Sequence, residues 1–141
     1  MADRLIEAAL AAREQAYARY SNFRVGAAIL CERDIVHAGC NVENAAYPQG
    51  VCAEAGAISA MILSGSRRID AVVIAGGGDS PCTPCGGCRQ KIREFGGPET
   101  QVRIVDASGA VLLVRSLSEL LPDSFGPDSL GSSSGSDLGG S

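Results

Sequence analysis

Lysine is scarce in this chain. Its 141 residues include a single lysine, Lys91, and the formal net charge is −4 at pH 7. An acidic protein gains no general attraction to a phosphate backbone, and the arginines form no cluster that predicts a local basic groove. The composition therefore argues against a nucleic-acid partner and favours a small substrate that is uncharged or weakly charged.

Long apolar runs and an export signal are lacking as well. We find no run of about 20 apolar residues, the length that spans a bilayer, so no membrane partner is expected. The N-terminus, Met1-Ala2-Asp3-Arg4, lacks the basic start and apolar stretch of a secretory signal. We therefore expect a cytoplasmic protein, in which disulfides are uncommon.

Histidine is nearly absent, since His37 is the only one in the chain. Any zinc site must therefore be mainly sulfur-ligated. In a cytosolic protein, cysteines at such spacings favour metal or redox chemistry over a disulfide framework. The six cysteines are Cys31, Cys40, Cys52, Cys82, Cys85 and Cys88.

Hydrophobic periodicity predicts helices alternating with strands. The predicted helices cover 2–18, 51–63, 85–95 and 117–121, and the predicted strands cover 25–31, 35–40, 70–75, 101–106 and 110–115. This order predicts a three-layer α/β/α domain with a mixed five-stranded sheet. We expect the domain to comprise residues 1–127, followed by a Gly/Ser-rich, disordered tail over 128–141.

Two cysteine motifs open two of the predicted helices. Cys52-Ala53-Glu54 begins one, and Cys85-Gly-Gly-Cys88 begins the other. The partial positive charge of a helix N-terminus favours the thiolates that a metal needs. Three thiolates leave one position of a tetrahedral zinc open for water, whose pKa can fall to about 7 there. Glu54 stands two residues from a ligand and is suited to carry the proton.

A zinc ion with three thiolates carries a net charge of −1, which weakens it as a Lewis acid. The helix dipoles offset part of this charge. Arg89, directly after Cys88, is a candidate for compensating the rest.

Two other interpretations of the cysteines remain open at this point. Cys85 and Cys88 resemble a redox pair, although Cys52-Ala53-Glu54 would then have no role. A structural zinc site is the second interpretation, but such sites have four protein ligands. The fourth ligand would come from Cys82, Cys40, Cys31 or His37.

Five segments together carry a resemblance to a known family. The sequence resembles the tetrameric class of zinc-dependent cytidine deaminases over roughly residues 4–130. The general signature of zinc deaminases, an acid near one ligand and a Pro-Cys-x-x-Cys motif, is present. The matching segments are Cys52-Ala-Glu54, Pro84-Cys85-Gly-Gly-Cys88-Arg89-Gln90, residues 21–27, residues 41–48 and residues 120–127.

The resemblance implies hydrolytic deamination of cytidine and 2′-deoxycytidine to uridine and 2′-deoxyuridine, with release of ammonia, as in pyrimidine salvage. It also implies one Zn²⁺ per subunit and a homotetramer with shared active sites. The alternatives are a deaminase of another cytosine compound, such as a nucleoside antibiotic or a free base, and a non-catalytic zinc-binding oligomer. A deaminase that edits nucleic acid fits the acidic charge poorly.

The resemblance also implies roles for individual side chains. The ligands would be Cys52, Cys85 and Cys88, with Glu54 as the catalytic residue. The substrate-binding positions would be Asn41 and Glu43 at the ribose hydroxyls, Phe23 beside the nucleoside, the backbone of Ala53 at the base, and Tyr47 and Phe125 in a neighbouring subunit's site. Without the resemblance to this family, the aromatic residues would be interpreted as packing residues, and Asn41 and Glu43 as turn residues.

One position departs from the family pattern. Many relatives have an arginine directly after the catalytic glutamate, where it contacts the metal-bound sulfurs. This chain has Ala55 there, so we expect its metal affinity or pH optimum to differ.

Overall fold

A mixed sheet of five strands forms the centre of the molecule. The computed structural model describes residues 3–77 and 81–131. The strands are β1 (Gly26–Cys31), β2 (Val36–Cys40), β3 (Ile69–Ala75), β4 (Gln101–Val105) and β5 (Val111–Ser116). Their order in the sheet is β2-β1-β3-β4-β5. Strands β3 and β4 are parallel, and the other neighbouring pairs are antiparallel.

Helices cover both faces of this sheet. The helices are α1 (Arg4–Glu14), α2 (Ala53–Leu63), α3 (Gly86–Phe95), α4 (Leu117–Leu120) and α5 (Pro127–Gly131). Helix α3 lies between the parallel strands β3 and β4 in the chain, as a crossover connection requires. The predicted three-layer α/β/α architecture with a mixed five-stranded sheet is confirmed. Of the predicted tail, residues 132–141 lie outside the described residues.

The two layers of core follow from the alternation of side chains along the strands. On one face Ala28 and Val73 pack with α1 through Leu5 and Ala9. On the other face alternate strand residues pack with α2 and α3, in a cluster that includes Ile29, Val72, Ile74, Met61 and Ile92. Burial on both faces explains why β3 is an almost unbroken apolar run.

Helix α1 is shorter than the sequence predicts. Asp3 caps its start by accepting hydrogen bonds from the backbone nitrogens of Leu5 (3.0 Å) and Ile6 (3.3 Å). The prediction that the helix continues to residue 18 is wrong, because Tyr17 pairs instead with the segment at Val42. In that pairing the Tyr17 amide donates to the carbonyl of Asn41 at 3.0 Å.

Close packing of β2 against α2 positions the start of that helix. Gly39 allows the contact, because a β-carbon there would lie 2.3 Å from the backbone nitrogen of Ala57. Among the described residues, no helix has the length and hydropathy needed to cross a membrane.

Candidate metal centre and active site

The N-termini of α2 and α3 converge on a cavity of about 580 Å³. Its walls come from three stretches of the chain, within residues 20–25, 41–54 and 82–88. This volume is in the range of small-molecule sites. The cavity thus joins the two cysteine motifs with the loops that surround them.

Three thiols meet at one end of the cavity. The sulfur atoms of Cys52, Cys85 and Cys88 all lie within 4.8 Å of one another. Cys52 and Cys85 are the N-cap residues of α2 and α3, and Cys88 lies in the first turn of α3. Zinc with sulfur ligands at about 2.3 Å in tetrahedral geometry needs sulfurs about 3.8 Å apart. Three soft donors at this spacing therefore fit Zn²⁺.

The remaining candidate ligands all belong to the described part of the chain and stand outside this three-thiol group. Cys82 lines the cavity. Cys31 is buried in the sheet, and Cys40 is half-buried. His37 is buried on β2. The arrangement favours a site with three protein ligands over a closed structural site.

Glu54 lies beside the thiols and is almost fully buried. Only 6% of its surface is exposed, although it lines the cavity. Burial raises the pKa of this carboxyl above its ordinary value, because desolvation disfavours the charged form. A carboxyl with a raised pKa is suited to take up and return a proton near neutral pH.

The surroundings shift the pKa values of two of the thiols in opposite directions. Burial, followed by the negative charge of Glu54, raises the pKa of the Cys88 thiol far above its ordinary value. The backbone amide of Cys88 lowers the pKa of the Cys85 thiol. A divalent cation held among the sulfurs stabilises thiolates, so metal binding would overcome the protonation that burial imposes on Cys88.

Asn41 fixes the wall of the cavity near Phe23. Its side-chain oxygen accepts from the Val25 amide at 2.9 Å, and its side-chain nitrogen donates to the Phe23 carbonyl at 2.9 Å. Asn41 also lines the cavity. The predicted ligand-binding residue therefore has a structural role as well, in shaping the loop over 20–25.

Glu43 holds the same loop from the other side. One carboxylate oxygen accepts from the amides of Tyr20 (2.9 Å) and Ser21 (3.1 Å), and the other accepts from the Ser21 hydroxyl. The Ser21 hydroxyl foremost, and then its amide, lower the pKa of Glu43. Glu43 is thus held as a carboxylate at the cavity wall.

The other predicted substrate-binding residues fall into two groups. Tyr47 and Ala53 line the cavity, and Tyr47 is 78% exposed. Phe23 and Phe125, both within the described residues, stand outside the lining and are 43% and 57% exposed. The carbonyl of Phe125 accepts a hydrogen bond from the Gln90 side chain at 2.7 Å, which places the segment around Phe125 next to α3.

Arg89 donates hydrogen bonds to two backbone carbonyls that lie far apart in the sequence. Its Nε donates to the carbonyl of Pro84 and its Nη1 to the carbonyl of Leu120, each at 2.7 Å. The side chain thereby ties the loop before Cys85 to the C-terminal residue of α4. Its compensation of the thiolate charge stays a prediction.

Sequence reasoning missed two residues near the site. Ser21 belongs to one of the five matching segments, but only the folded loop shows its hydroxyl at Glu43. Lys91 stands out in the sequence as the single lysine. Lys91 lies four residues after Gly87, and this helical spacing could have indicated that its side chain reaches back to the first turn of α3.

Comparisons with known proteins agree with this geometry. Residues 1–104 match the family described as "Cytidine and deoxycytidylate deaminase zinc-binding region". A cytidine deaminase from Sporosarcina psychrophila is 38% identical over 128 residues, covering 91% of this chain and 93% of the relative. One from Mycobacterium tuberculosis is 42% identical over 115 residues, covering 82% of each.

Solved structures show the same similarity. The crystal structure of cytidine deaminase from Burkholderia pseudomallei superposes with a TM-score of 0.81 at 45% identity, covering 89% of this chain and 100% of that one. The cytidine deaminase from Mycobacterium leprae gives 0.74 at 43% identity, with 86% and 97% covered. The chain therefore belongs to the zinc-binding cytidine and deoxycytidylate deaminase family.

Proposed function

We propose that this protein is a zinc-dependent hydrolase that converts cytidine and 2′-deoxycytidine to uridine and 2′-deoxyuridine, as pyrimidine salvage requires. The observation that supports it most strongly is the buried Glu54 carboxyl beside three clustered thiols, inside a cavity of nucleoside size. The family and the names of the relatives agree with this activity.

The metal would be held by Cys52, Cys85 and Cys88, one ion per subunit. When bound, zinc acts as a Lewis acid that makes water a stronger acid and nucleophile. The N-termini of α2 and α3 favour the thiolate ligands, because both helix dipoles point their positive ends at the sulfurs. Arg89, whose Nε donates to the Pro84 carbonyl, would add positive charge next to the loop that carries Cys85.

Glu54 would move the protons. The reaction adds water across the N3=C4 double bond of the cytosine ring, with the oxygen on C4, and then breaks the bond from C4 to the amino nitrogen. One proton of the water ends on N3, the other leaves with the amino nitrogen as ammonia, and the oxygen stays on C4. Burial raises the pKa of Glu54, which helps the same carboxyl both to accept and to donate.

The loops would hold the nucleoside. Asn41 and Glu43 face the cavity with oriented polar groups that suit ribose hydroxyls. The backbone of Ala53, between Cys52 and Glu54, would hydrogen-bond the base. Phe23, which stands outside the cavity lining in the single chain, would pack beside the nucleoside only after its ring turns toward the cavity.

Glu54→Gln tests the catalytic assignment. The change keeps the size of the side chain but removes its ability to carry a proton, so we expect zinc content to persist while turnover falls by at least about 10²–10⁴-fold. Ammonia release from cytidine and deoxycytidine and zinc content are measured on the same samples. Near-native turnover in the variant would show that Glu54 is not the proton carrier.

The wild-type chain separates the alternatives. Activity only on a nucleoside antibiotic or a free base would assign another cytosine compound as substrate. Bound zinc without ammonia release from any cytosine compound would instead identify a non-catalytic zinc-binding oligomer.

We also propose a homotetramer with shared active sites. Tyr47 is 78% exposed and Phe125 57% exposed in the single chain, and exposed aromatic residues near a site are typical of surfaces that contact a partner. Light scattering should give four times the subunit mass of 14.4 kDa. A monomer with full activity would exclude sharing.

A reducing compartment, the cytoplasm, suits this proposal. All six cysteines are within the described residues and are free thiols. A site built from three thiolates is lost if its ligands oxidise to disulfides.

A further inference from the structure

The proposed zinc site concentrates negative charge. Three thiolates around one Zn²⁺ leave a net charge of −1, and the Glu54 carboxyl adds a second negative charge when ionised. Both lie in a partly buried setting, because Cys88 and Glu54 are buried. Buried charge is costly unless an opposite charge lies nearby, so the position of the surrounding cations matters for metal affinity.

Lys91 places its ammonium group close to this cluster. Gly87 has no β-carbon, but the position that one would occupy lies 3.8 Å from the Nζ atom of Lys91 and 4.0 Å from the Sγ atom of Cys85. The lysine therefore extends from the second turn of α3 back over the first turn, where the ligands stand. Because Gly87 has no side chain, nothing from that residue separates the ammonium from the Cys85 sulfur.

The other nearby features agree with an electrostatic role. Lys91 and Ala55 line the same groove between α2 and α3, and Ala55 directly follows Glu54. Within residues 3–77 and 81–131, no ion pair occupies the Lys91 ammonium.

Arg89 is the rival cation, and its hydrogen bonds distinguish it from Lys91. The Arg89 guanidinium is held by two backbone carbonyls, those of Pro84 and Leu120. Its geometry is that of a residue that fixes the backbone. The Lys91 ammonium is exposed at the ligand-bearing turn and has no such anchor among the described residues.

We propose that Lys91 is a positioning residue that offsets the negative charge of the thiolate zinc site and thereby increases its affinity for Zn²⁺. The inference rests on the proposed zinc-dependent function, but its measurement is metal affinity and needs no turnover. It assigns to the one lysine of the chain a role in holding the cofactor.

Three variants change the charge at this position in steps. Lys91→Arg keeps the charge, Lys91→Met removes it at similar length, and Lys91→Glu reverses it. The zinc dissociation constant is measured by competition with a chromophoric chelator at low and at high salt. We expect Lys91→Arg to match the wild type, Lys91→Met to bind zinc about three- to tenfold more weakly at low salt, and Lys91→Glu to bind more weakly still.

The salt dependence and a control variant far from the site distinguish an electrostatic effect on zinc affinity from a packing defect. Added salt should shrink the differences, because it screens exposed charges, whereas a packing defect would persist. Arg115→Met removes a charge from the exposed surface of β5 and changes the net charge equally. We expect it to leave zinc affinity unchanged.

The outcomes are decisive in each direction. Equal zinc affinity for the wild type, Lys91→Met and Lys91→Glu at low salt would overturn the role of Lys91 alone. An equal loss in Arg115→Met would show an effect of net charge and would also overturn it. A wild-type chain that does not bind zinc would overturn the proposed function together with this inference.

Discussion

Gly39→Ala tests how strand β2 positions helix α2, which carries Glu54. A β-carbon on Gly39 would lie 2.3 Å from the nitrogen of Ala57 and 2.6 Å from the carbonyl oxygen of Ala53. Both atoms belong to the backbone of α2, so no side-chain rotation can relieve the contact. Because ordinary contact begins at 3.4 Å, the helix has to move by about 1 Å to accept the methyl group.

This movement would reach Glu54, which lies between the two contacted residues on α2. Overpacking of this kind costs about 1–3 kcal/mol in the free energy of unfolding. A displacement of about 1 Å in a catalytic group can lower a rate about 100-fold. We therefore expect Gly39→Ala to show both losses, in urea unfolding and in kcat/KM for cytidine.

Gly56→Ala is the matched control on the facing helix. Its β-carbon would lie 3.5 Å from the α-carbon of Gly39, which is an ordinary contact. Alanine also favours a helix over glycine by about 1 kcal/mol, so the control should be as stable as the wild type or more stable. Native stability and rate in Gly39→Ala, or equal damage in both variants, would refute this account of the contact.

Two further predictions concern the edges of the site and the fold. Ser21→Ala removes the hydroxyl that donates to Glu43, so KM for cytidine should rise about two- to tenfold with kcat near native; steady-state kinetics check this, and a fall in kcat alone would contradict it. The hydrogen bond from Arg103 is the main cause that lowers the pKa of Asp3 below its ordinary value of 3.8. The ionised Asp3 carboxylate therefore stabilises the folded state fully above pH 3.8, and this stabilisation is lost as the pH falls through the lower pKa that Asp3 has in the folded protein. Asp3→Asn keeps a good N-cap residue and should lower the free energy of unfolding by up to about 1 kcal/mol at pH 7. The difference in this free energy from the wild type should shrink below pH 3.8. Urea titrations at several pH values measure the difference, and a difference that grows in acid would contradict this expectation.

Much of the fold could be predicted from local patterns. The apolar run from Val72 to Ile74 indicated a buried strand, and β3 covers Ile69–Ala75. The end of α1 could not be predicted in this way. Tyr17 continues the helical spacing, but its backbone pairs with the distant segment at Val42, and a contact across that sequence separation leaves no mark on the helical periodicity.

In the candidate site too, local sequence patterns predict some of the contacts and only the folded structure shows the others. Spacing in the sequence predicted that Cys85 and Cys88 share one helix turn, and the fold brings Cys52 to them. The hydrogen bonds from Ser21 to Glu43 and the return of Lys91 over Gly87 depend on how loops and side chains settle. Sequence patterns contain the residue types for such contacts but not the directions in which the groups point.

X-ray absorption at the zinc edge of the purified wild-type protein tests the central claim most directly. We expect three sulfur scatterers at about 2.3 Å and one lighter oxygen or nitrogen scatterer at about 2.0 Å. Four sulfur scatterers would mean that a further cysteine, with Cys82 in the cavity wall as the candidate, closes the metal to water. This result would contradict the proposed catalytic site.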